Sequence, residues 1–442
     1  QERHVAEIWG KVVSNDDLHS DTTFYDAGGD SLSGVQIGFI MESAGISKQA
    51  IQATLEGRSL AEVCRLNEAG VETPSSTGSP EALPDATLRS WSVSAARGVM
   101  VLSVLFSHWG PGFFERLGLA DVAERYFSLL SRMGTPGFAA VFGIGIGAFM
   151  IPTYAQNPSS VLKRLKMSFH LVLTGIGLLA AVSMLLAFLE TKSLNAQQIS
   201  FAFYGVLTFY ALALGTARFW MKPLSGLRHP SLALPLIALA SCLLWALAIT
   251  ILPSNTLNSL LELPRLMAIA GYNLFKLSAV ACIGIVMGYW LSRQSDLMLA
   301  SRQLLALGTA GFIFCAMTIM QFYGLDVFSR RGSPAYVSLP GLLMYACAAA
   351  IMVGAFMSMI NSWHRKAGVW RFPLAVLIVI GGLALPIYVF HGLVIPIKDI
   401  LVLMGVRGAF ALLVPLSLFL AGISYGGGRL YRLYFGTGPH NR

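Results

Sequence analysis

The sequence predicts an all-α protein in which a small soluble helical domain precedes a polytopic membrane domain of about ten transmembrane helices. The chain of 442 residues is 55% hydrophobic and only 12% charged. Apolar runs of about 20 residues, each long enough to cross ~30 Å of hydrocarbon, recur from residue 93 to residue 426. Charge divides the chain in the same way. Residues 1–88 have 5 Lys and Arg against 14 Asp and Glu, a net charge of −9, whereas 26 against 8 give residues 89–442 a net charge of +18.

The first domain is predicted at residues 1–68. Apolar side chains recur at helical spacing over residues 5–13, which indicates a first helix. A loop through Gly28 and Gly29 leads to a second helix that starts near Ser31, and Ser59 opens a short final helix.

A flexible linker is predicted at residues 69–88. This segment is rich in Pro, Ser, Thr and Gly and has no periodic apolar pattern. About twenty such residues span roughly 25 Å as a coil, so the first domain stays close to the membrane but is free to turn.

The membrane domain is predicted at residues 89–442. If the N-terminus is cytoplasmic, the loops on its side hold 14 Lys and Arg against 9 on the other side, which favours this orientation. The sequence thus predicts a protein integral to the cytoplasmic membrane, with its first domain in the cytoplasm. The acidic first domain argues against a nucleic-acid partner, since phosphates would repel it. The ten predicted helices lie near residues 93–114, 135–154, 168–189, 199–220, 231–252, 269–292, 303–324, 337–360, 373–396 and 408–426.

The motif Gly-Gly-Asp-Ser-Leu at residues 28–32 places a serine between two glycines and an apolar helix. Glycines leave such a serine exposed, and the N-terminus of the following helix offers N–H groups and a positive dipole end to a phosphate. In the alternative interpretation, Ser31 only caps a helix after a Gly-Gly turn.

This motif resembles the attachment site of phosphopantetheine-dependent peptidyl carrier domains, and the resemblance covers roughly residues 1–68. It implies a small four-helix carrier bundle with 4′-phosphopantetheine bound covalently to Ser31, flanked by Asp30 and Leu32. It also implies two partners, a phosphopantetheinyl transferase and an adenylating or loading enzyme. That loading domain could equally lie upstream of Gln1, since the chain starts without Met. The Asp-Ser-Leu core favours carriers of amino acids or related acids.

Two ionisable residues stand out in the first apolar run, SVSAARGVMVLSVLFSHWG. Arg97 and His108 lie about 16 Å apart along a helix. With the N-terminus inside, Arg97 is expected near the cytoplasmic surface and His108 well inside the bilayer. Ionisable groups at such depth are costly and normally face a cavity or a partner.

This Arg-x10-His pattern on the first of about ten membrane helices resembles the acyltransferase-3 family over about residues 89–430. The segments 136–149 and 385–392 add to the resemblance, but the family's Phe-Phe-x-x-Ser-Gly signature on the second helix is absent. The resemblance implies transfer of an acyl group from a pantetheine thioester. His108 would act as general base, and Arg97 would bind the pantetheine arm or stabilise developing negative charge.

Four further residues are secondary candidates. His391 and Tyr388 lie late in the ninth apolar run and would line a cavity or serve in packing. Lys276 and Asn273 lie in the sixth run, either within the membrane or near a helix end. No metal site is predicted, because the five cysteines show neither paired nor metal-ligand spacing.

Together these features predict a membrane transacylase that takes an acyl, and in particular an aminoacyl, group from its own carrier. Its acceptor would be a hydroxyl or amine of a lipid, glycan or small molecule at or across the lipid bilayer. In one alternative, the membrane part only anchors the carrier or exports its product. In another, the protein resembles membrane-embedded amino-acid ligases, and donor and acceptor are the same monomer.

Overall fold

The structure, a computed structural model, is all-helical, which confirms the predicted fold class. Its regular elements are helices throughout the described residues, apart from one isolated antiparallel bridge between Thr23 and Ser59. The described residues are 2–13, 17–29, 31–68, 85–116, 118, 120–227, 230–251, 262–269, 273–324, 338–365, 371–406 and 410–435.

Four helices form the N-terminal unit, which we define as residues 2–68. Trp9 and Phe24 are fully buried and meet edge to face at 5.6 Å between ring centroids. The residue pattern did not locate the third of these helices, because it has only eight residues; the side chain of Ser47 caps it by accepting a hydrogen bond from the Ala50 N–H. The helices are α1 (Glu2–Val13), α2 (Ser31–Ser43), α3 (Lys48–Leu55) and α4 (Leu60–Glu68).

The remaining helices make up the apolar part of the chain. A five-residue π-helical segment, Ile146–Met150, joins the second of them to the third. They are α5 (Asp85–Arg116), α6 (Ala120–Gly145), α7 (Ile151–Gln156), α8 (Pro158–Thr191), α9 (Ala196–Phe203), α10 (Val206–Gly215), α11 (Ala217–Ser225), α12 (Pro230–Ile251), α13 (Glu262–Ile269), α14 (Leu274–Ser292), α15 (Leu297–Tyr323), α16 (Leu339–Arg365), α17 (Arg371–Gly382), α18 (Ala384–Leu403) and α19 (Phe410–Phe435).

Within the described residues, seven helices are long and apolar enough to cross a membrane, and bent pairs raise the number to nine. The predicted run 199–220 is not one helix, because α9 and α10 meet at 67°, and 373–396 breaks between α17 and α18 at 79°. The last predicted run lies in α19, where Val414–Tyr425 is an apolar segment. The part of the chain that the structure describes therefore has several helices able to cross a membrane and fewer straight spans than the ten predicted.

Close helix packing holds the centre of this apolar part together. A Cβ on Gly288 of α14 would lie 2.1 Å from the Ile144 carbonyl oxygen of α6. A Cβ on Gly143 would lie 2.1 Å from the Ala281 carbonyl oxygen. Small residues at such positions let helix backbones approach closely, which is how helices associate in lipid.

The N-terminal unit packs directly on the apolar part. The Ser160 hydroxyl of α8 donates a hydrogen bond to the Val13 carbonyl, and the Thr87 hydroxyl of α5 donates one to the Glu56 carbonyl at 2.7 Å. Helix α5 begins at Asp85, inside the predicted linker, and residues 69–84 of that linker lie outside the described residues.

Candidate functional site

Helix α5 carries both Arg97 and His108, as predicted from the sequence. Judged by length and composition, its apolar stretch runs from Asp85 to Trp109, with Arg97 near the middle of that stretch and His108 near its end. The helix starts about eight residues before the predicted run. Side chains such as Trp91, only 5% exposed, pack against neighbouring helices there.

Arg97 is half-buried and lines a cavity of about 180 Å³, which we call the Arg97 cavity. Its wall is mostly apolar, and its polar lining residues are Arg97, Ser168, Tyr210 and Tyr388. Among the described residues, the buried Tyr210 hydroxyl has no hydrogen-bond partner. A cation and a phenol that face a mostly apolar cavity suit a ligand with both polar and apolar parts.

His108 lies in a second cavity of about 290 Å³, the His108 cavity. Its ring is 5.2 Å from the ring of His391, centroid to centroid, and His391 in turn packs edge-on against Tyr388 at 5.1 Å. His108 is exposed to the cavity, whereas His391 is only 3% exposed. The structure therefore brings together His108 with two of the secondary candidates.

The two cavities adjoin. Val206, Leu207 and Tyr388 line both of them and so form part of a shared wall between the cavity of Arg97 and that of His108. Ile176 and Leu179 of α8 also line the His108 cavity. Ser168, which is nearer the N-terminus of the same helix, lines the Arg97 cavity.

The two helix breaks surround this path, and the sequence analysis missed them. Gly381 and Gly382, at the end of α17, line the Arg97 cavity, and Tyr204 and Gly205, between α9 and α10, line the His108 cavity. The signal that would have found them is a glycine or proline interrupting an apolar run, a pattern typical of broken helices at membrane binding sites. Both Gly205 and the Gly-Gly at 381–382 fit it.

The predicted attachment serine is the first residue of α2. The side chains of Ser31 and Leu32, and the whole of Asp30, lie outside the described part of the structure. The turn before them is described. Gly28 has φ +104°, and a Cβ on it would lie 2.8 Å from the Arg164 Nη1 of α8.

Lys276 and Asn273 do not join this site. The Asn273 side chain caps α14 by accepting a hydrogen bond from the Lys276 N–H at 3.0 Å. The Lys276 Nζ lies 3.8 Å from the centroid of the Trp245 ring, and neither residue lines the two cavities. Their contacts favour a structural role.

Comparisons of the chain with protein-family models, with curated proteins and with solved structures give no match.

Proposed function

We propose that this chain is a membrane transacylase. The N-terminal unit acts as a cytoplasmic carrier with 4′-phosphopantetheine on Ser31, and the membrane domain passes the acyl group to a hydroxyl or amine acceptor. One observation above all supports this proposal. The Gly28–Gly29 turn before Ser31 lies against α8, the helix that lines both the Arg97 cavity and the His108 cavity.

The turn at residues 28–29 suits the attachment of a phosphate-linked group. A Cβ on Gly29 would lie 2.4 Å from the Phe24 ring, so this backbone packs where no other residue fits. It delivers Ser31 to the start of a 13-residue helix, where N–H groups and the helix dipole favour a phosphate. When bound, the group supplies a thioester at the end of about thirteen bonds, roughly 16 Å when extended.

The depth of the cavities agrees with that reach. Ile176, which lines the His108 cavity, follows Arg164 by twelve residues, or about 18 Å along α8. Arg97 and His108 are about 16 Å apart on α5. If the thioester end of the arm is held near His108, the phosphate end of the arm can therefore lie near the N-terminal unit.

His108 moves the proton in the transfer step. Its imidazole takes the proton from the acceptor's oxygen or nitrogen as that atom attacks the acyl carbon. A C–O or C–N bond forms, the thioester C–S bond breaks, and the proton ends on the sulfur. The thioester supplies the free energy, so neither an oxidant nor an ion gradient is required.

Arg97 binds rather than stabilises the developing charge. An oxyanion donor has to lie about 3 Å from the reacting oxygen. Arg97 lines only the Arg97 cavity, and His108 lines only the adjoining one. Of the two roles considered for Arg97, its position favours contact with the amide and hydroxyl groups of the pantetheine chain. His391 and Tyr388 hold the His108 ring in place.

The carrier half of the proposal is tested by the intact mass of the purified full-length protein after co-expression with a broad-specificity phosphopantetheinyl transferase. We expect one added phosphopantetheine mass on the wild type and on the control Ser20→Ala, since Ser20 is exposed and outside the motif. Ser31→Ala should gain none. Wild-type protein without the added mass would overturn the proposal.

A further inference from the structure

We infer that Arg164 is the docking residue for the N-terminal unit: it binds the phosphodiester on Ser31 and holds the carrier at the mouth of the Arg97 cavity. This inference rests on the proposed function, and it adds a specific surface and a specific charge–charge contact. The contact lies between two parts of one chain.

Arg164 differs from the basic residues beside it. It is only 7% exposed, whereas Lys163 and Lys166 on the same turn of α8 are exposed. The N-terminal unit is what lies against it, with Gly28 so close that a Cβ would sit 2.8 Å from Nη1. A guanidinium has five N–H donors and binds phosphate oxygens in pairs, so an arginine buried against the turn before Ser31 suits a phosphate attached there.

The surface around Arg164 is built to receive the unit. Thr153 of α7 lies against the same face of Gly28 as Arg164, with Cγ2 3.0 Å from the position of a Cβ there. The Ser160 hydroxyl donates a hydrogen bond to the Val13 carbonyl. The Asn157 side chain caps α8 by accepting a bond from the Ser160 N–H, which fixes the corner between α7 and α8.

The attachment point is close in the chain to the glycine that meets the guanidinium. Ser31 follows Gly28 by three residues, so its backbone lies no more than about 11 Å from that glycine. A phosphodiester on Ser31 that turns towards α8 would meet two positive ends, the N-terminus of α2 and the Arg164 fork, which binds phosphate oxygens in pairs. Charge on the larger scale agrees, because residues 1–88 have a net charge of −9 and the N-terminal part of α8 has three basic residues, at 163, 164 and 166.

Docking at Arg164 leads directly into the cavity. Ser168, one turn deeper on α8, lines the Arg97 cavity, and so does Met150, three residues before Thr153. A phosphodiester bound at Arg164 would therefore lie beside the Arg97 cavity, which adjoins the cavity of His108.

Thiol accessibility tests the inference without any acyl donor. Thr153→Cys is introduced into the full-length protein in lipid nanodiscs, and its labelling by a hydrophilic maleimide is timed. We expect the phosphopantetheinylated protein to label about tenfold more slowly than the same protein with Ser31→Ala, in keeping with a hydrogen bond between charged groups. Adding Arg164→Gln should remove this protection.

Matched controls lie on the same turns. Lys166→Gln should keep the protection, and Ser159→Cys, at an exposed position beside the contact, should label at one rate in all forms. Labelling of the parent protein, with its five native cysteines, is subtracted. If Arg164→Gln does not fold, Arg164→Lys decides, since a lysine cannot form the paired contact and should raise the labelling rate severalfold.

The outcomes separate the two proposals. A protein that never gains the phosphopantetheine mass refutes the proposed function. A protein that gains the mass but labels as fast as Ser31→Ala, or stays protected with Arg164→Gln, keeps the proposed function and overturns the role of Arg164.

Discussion

The ring of His108 on α5 packs on the ring of His391 on α18, with centroids 5.2 Å apart and planes tilted by 52°. The His108 ring is exposed to the cavity, whereas the His391 ring behind it is buried. Tyr388 packs edge-on against His391 and lines both cavities. All three side chains line the His108 cavity.

His391 is therefore expected to act through His108. His391→Ala should slow discharge of the acylated carrier by about tenfold to a hundredfold, because small misplacements of a catalytic group are costly. Single-turnover discharge measures this, and His391→Asn should recover part of the rate. Loading of Ser31 should be unchanged, as should discharge in the control His170→Ala, whose exposed ring lines neither cavity. A slower discharge that is accompanied by a lower melting temperature would assign His391 a packing role only.

Replacing Arg97 should slow discharge of the acylated carrier without lowering the stability of the protein. Arg97→Met keeps much of the volume and removes the charge that faces the Arg97 cavity. Discharge should fall about tenfold to a hundredfold, as expected for loss of a charged hydrogen bond, while the melting temperature stays equal or rises because a costly charge is gone. Unchanged discharge with a lower melting temperature would show that Arg97 is structural.

The glycine contact between α6 and α14 should control stability. Gly288→Ala places a Cβ 2.1 Å from the Ile144 carbonyl oxygen, so the helices must move apart, at about 1–3 kcal/mol. Gly177→Ala is the matched control, since a Cβ there meets nothing within 4 Å; it should be neutral or stabilise by up to about 1 kcal/mol. Thermal unfolding in nanodiscs compares the two. Equal effects would contradict the packing described for this interface.

Lys276 should matter for stability and not for transfer. Lys276→Met removes the contact with the Trp245 ring, which is expected to cost about 0.5–2 kcal/mol. Discharge should stay at the wild-type rate. A slower discharge at an unchanged melting temperature would return Lys276 to the candidate site.

The sequence alone predicted the helical class and the position of Arg97 and His108 on one helix. These follow from local signals, because apolar length and helical period depend only on neighbouring residues. The same signals treated residues 199–220 and 373–396 as straight spans. Hydropathy averages over a window, and it does not register that Gly205 or the Gly-Gly at 381–382 turns the chain.

The site itself depended on contacts between distant parts of the chain. Arg97 and His108 occupy separate, adjoining cavities. The walls of these cavities come from helices far apart in the chain, α8, α10 and α18, which contribute Ser168, Tyr210 and His391. Arg164 gave no sign in the sequence either. It stands between two lysines in a basic run, and only its burial under Gly28 sets it apart from them.

Intact mass spectrometry of the N-terminal unit from the native host tests the central claim, transfer from Ser31 to an acceptor by way of His108. Wild type, Ser31→Ala and His108→Ala are compared. We expect His108→Ala to accumulate phosphopantetheine bearing an extra acyl mass, which Ser31→Ala lacks and wild type turns over. Discharge of the acyl group from His108→Ala as fast as from the wild type would contradict it and favour a membrane part that only anchors or exports.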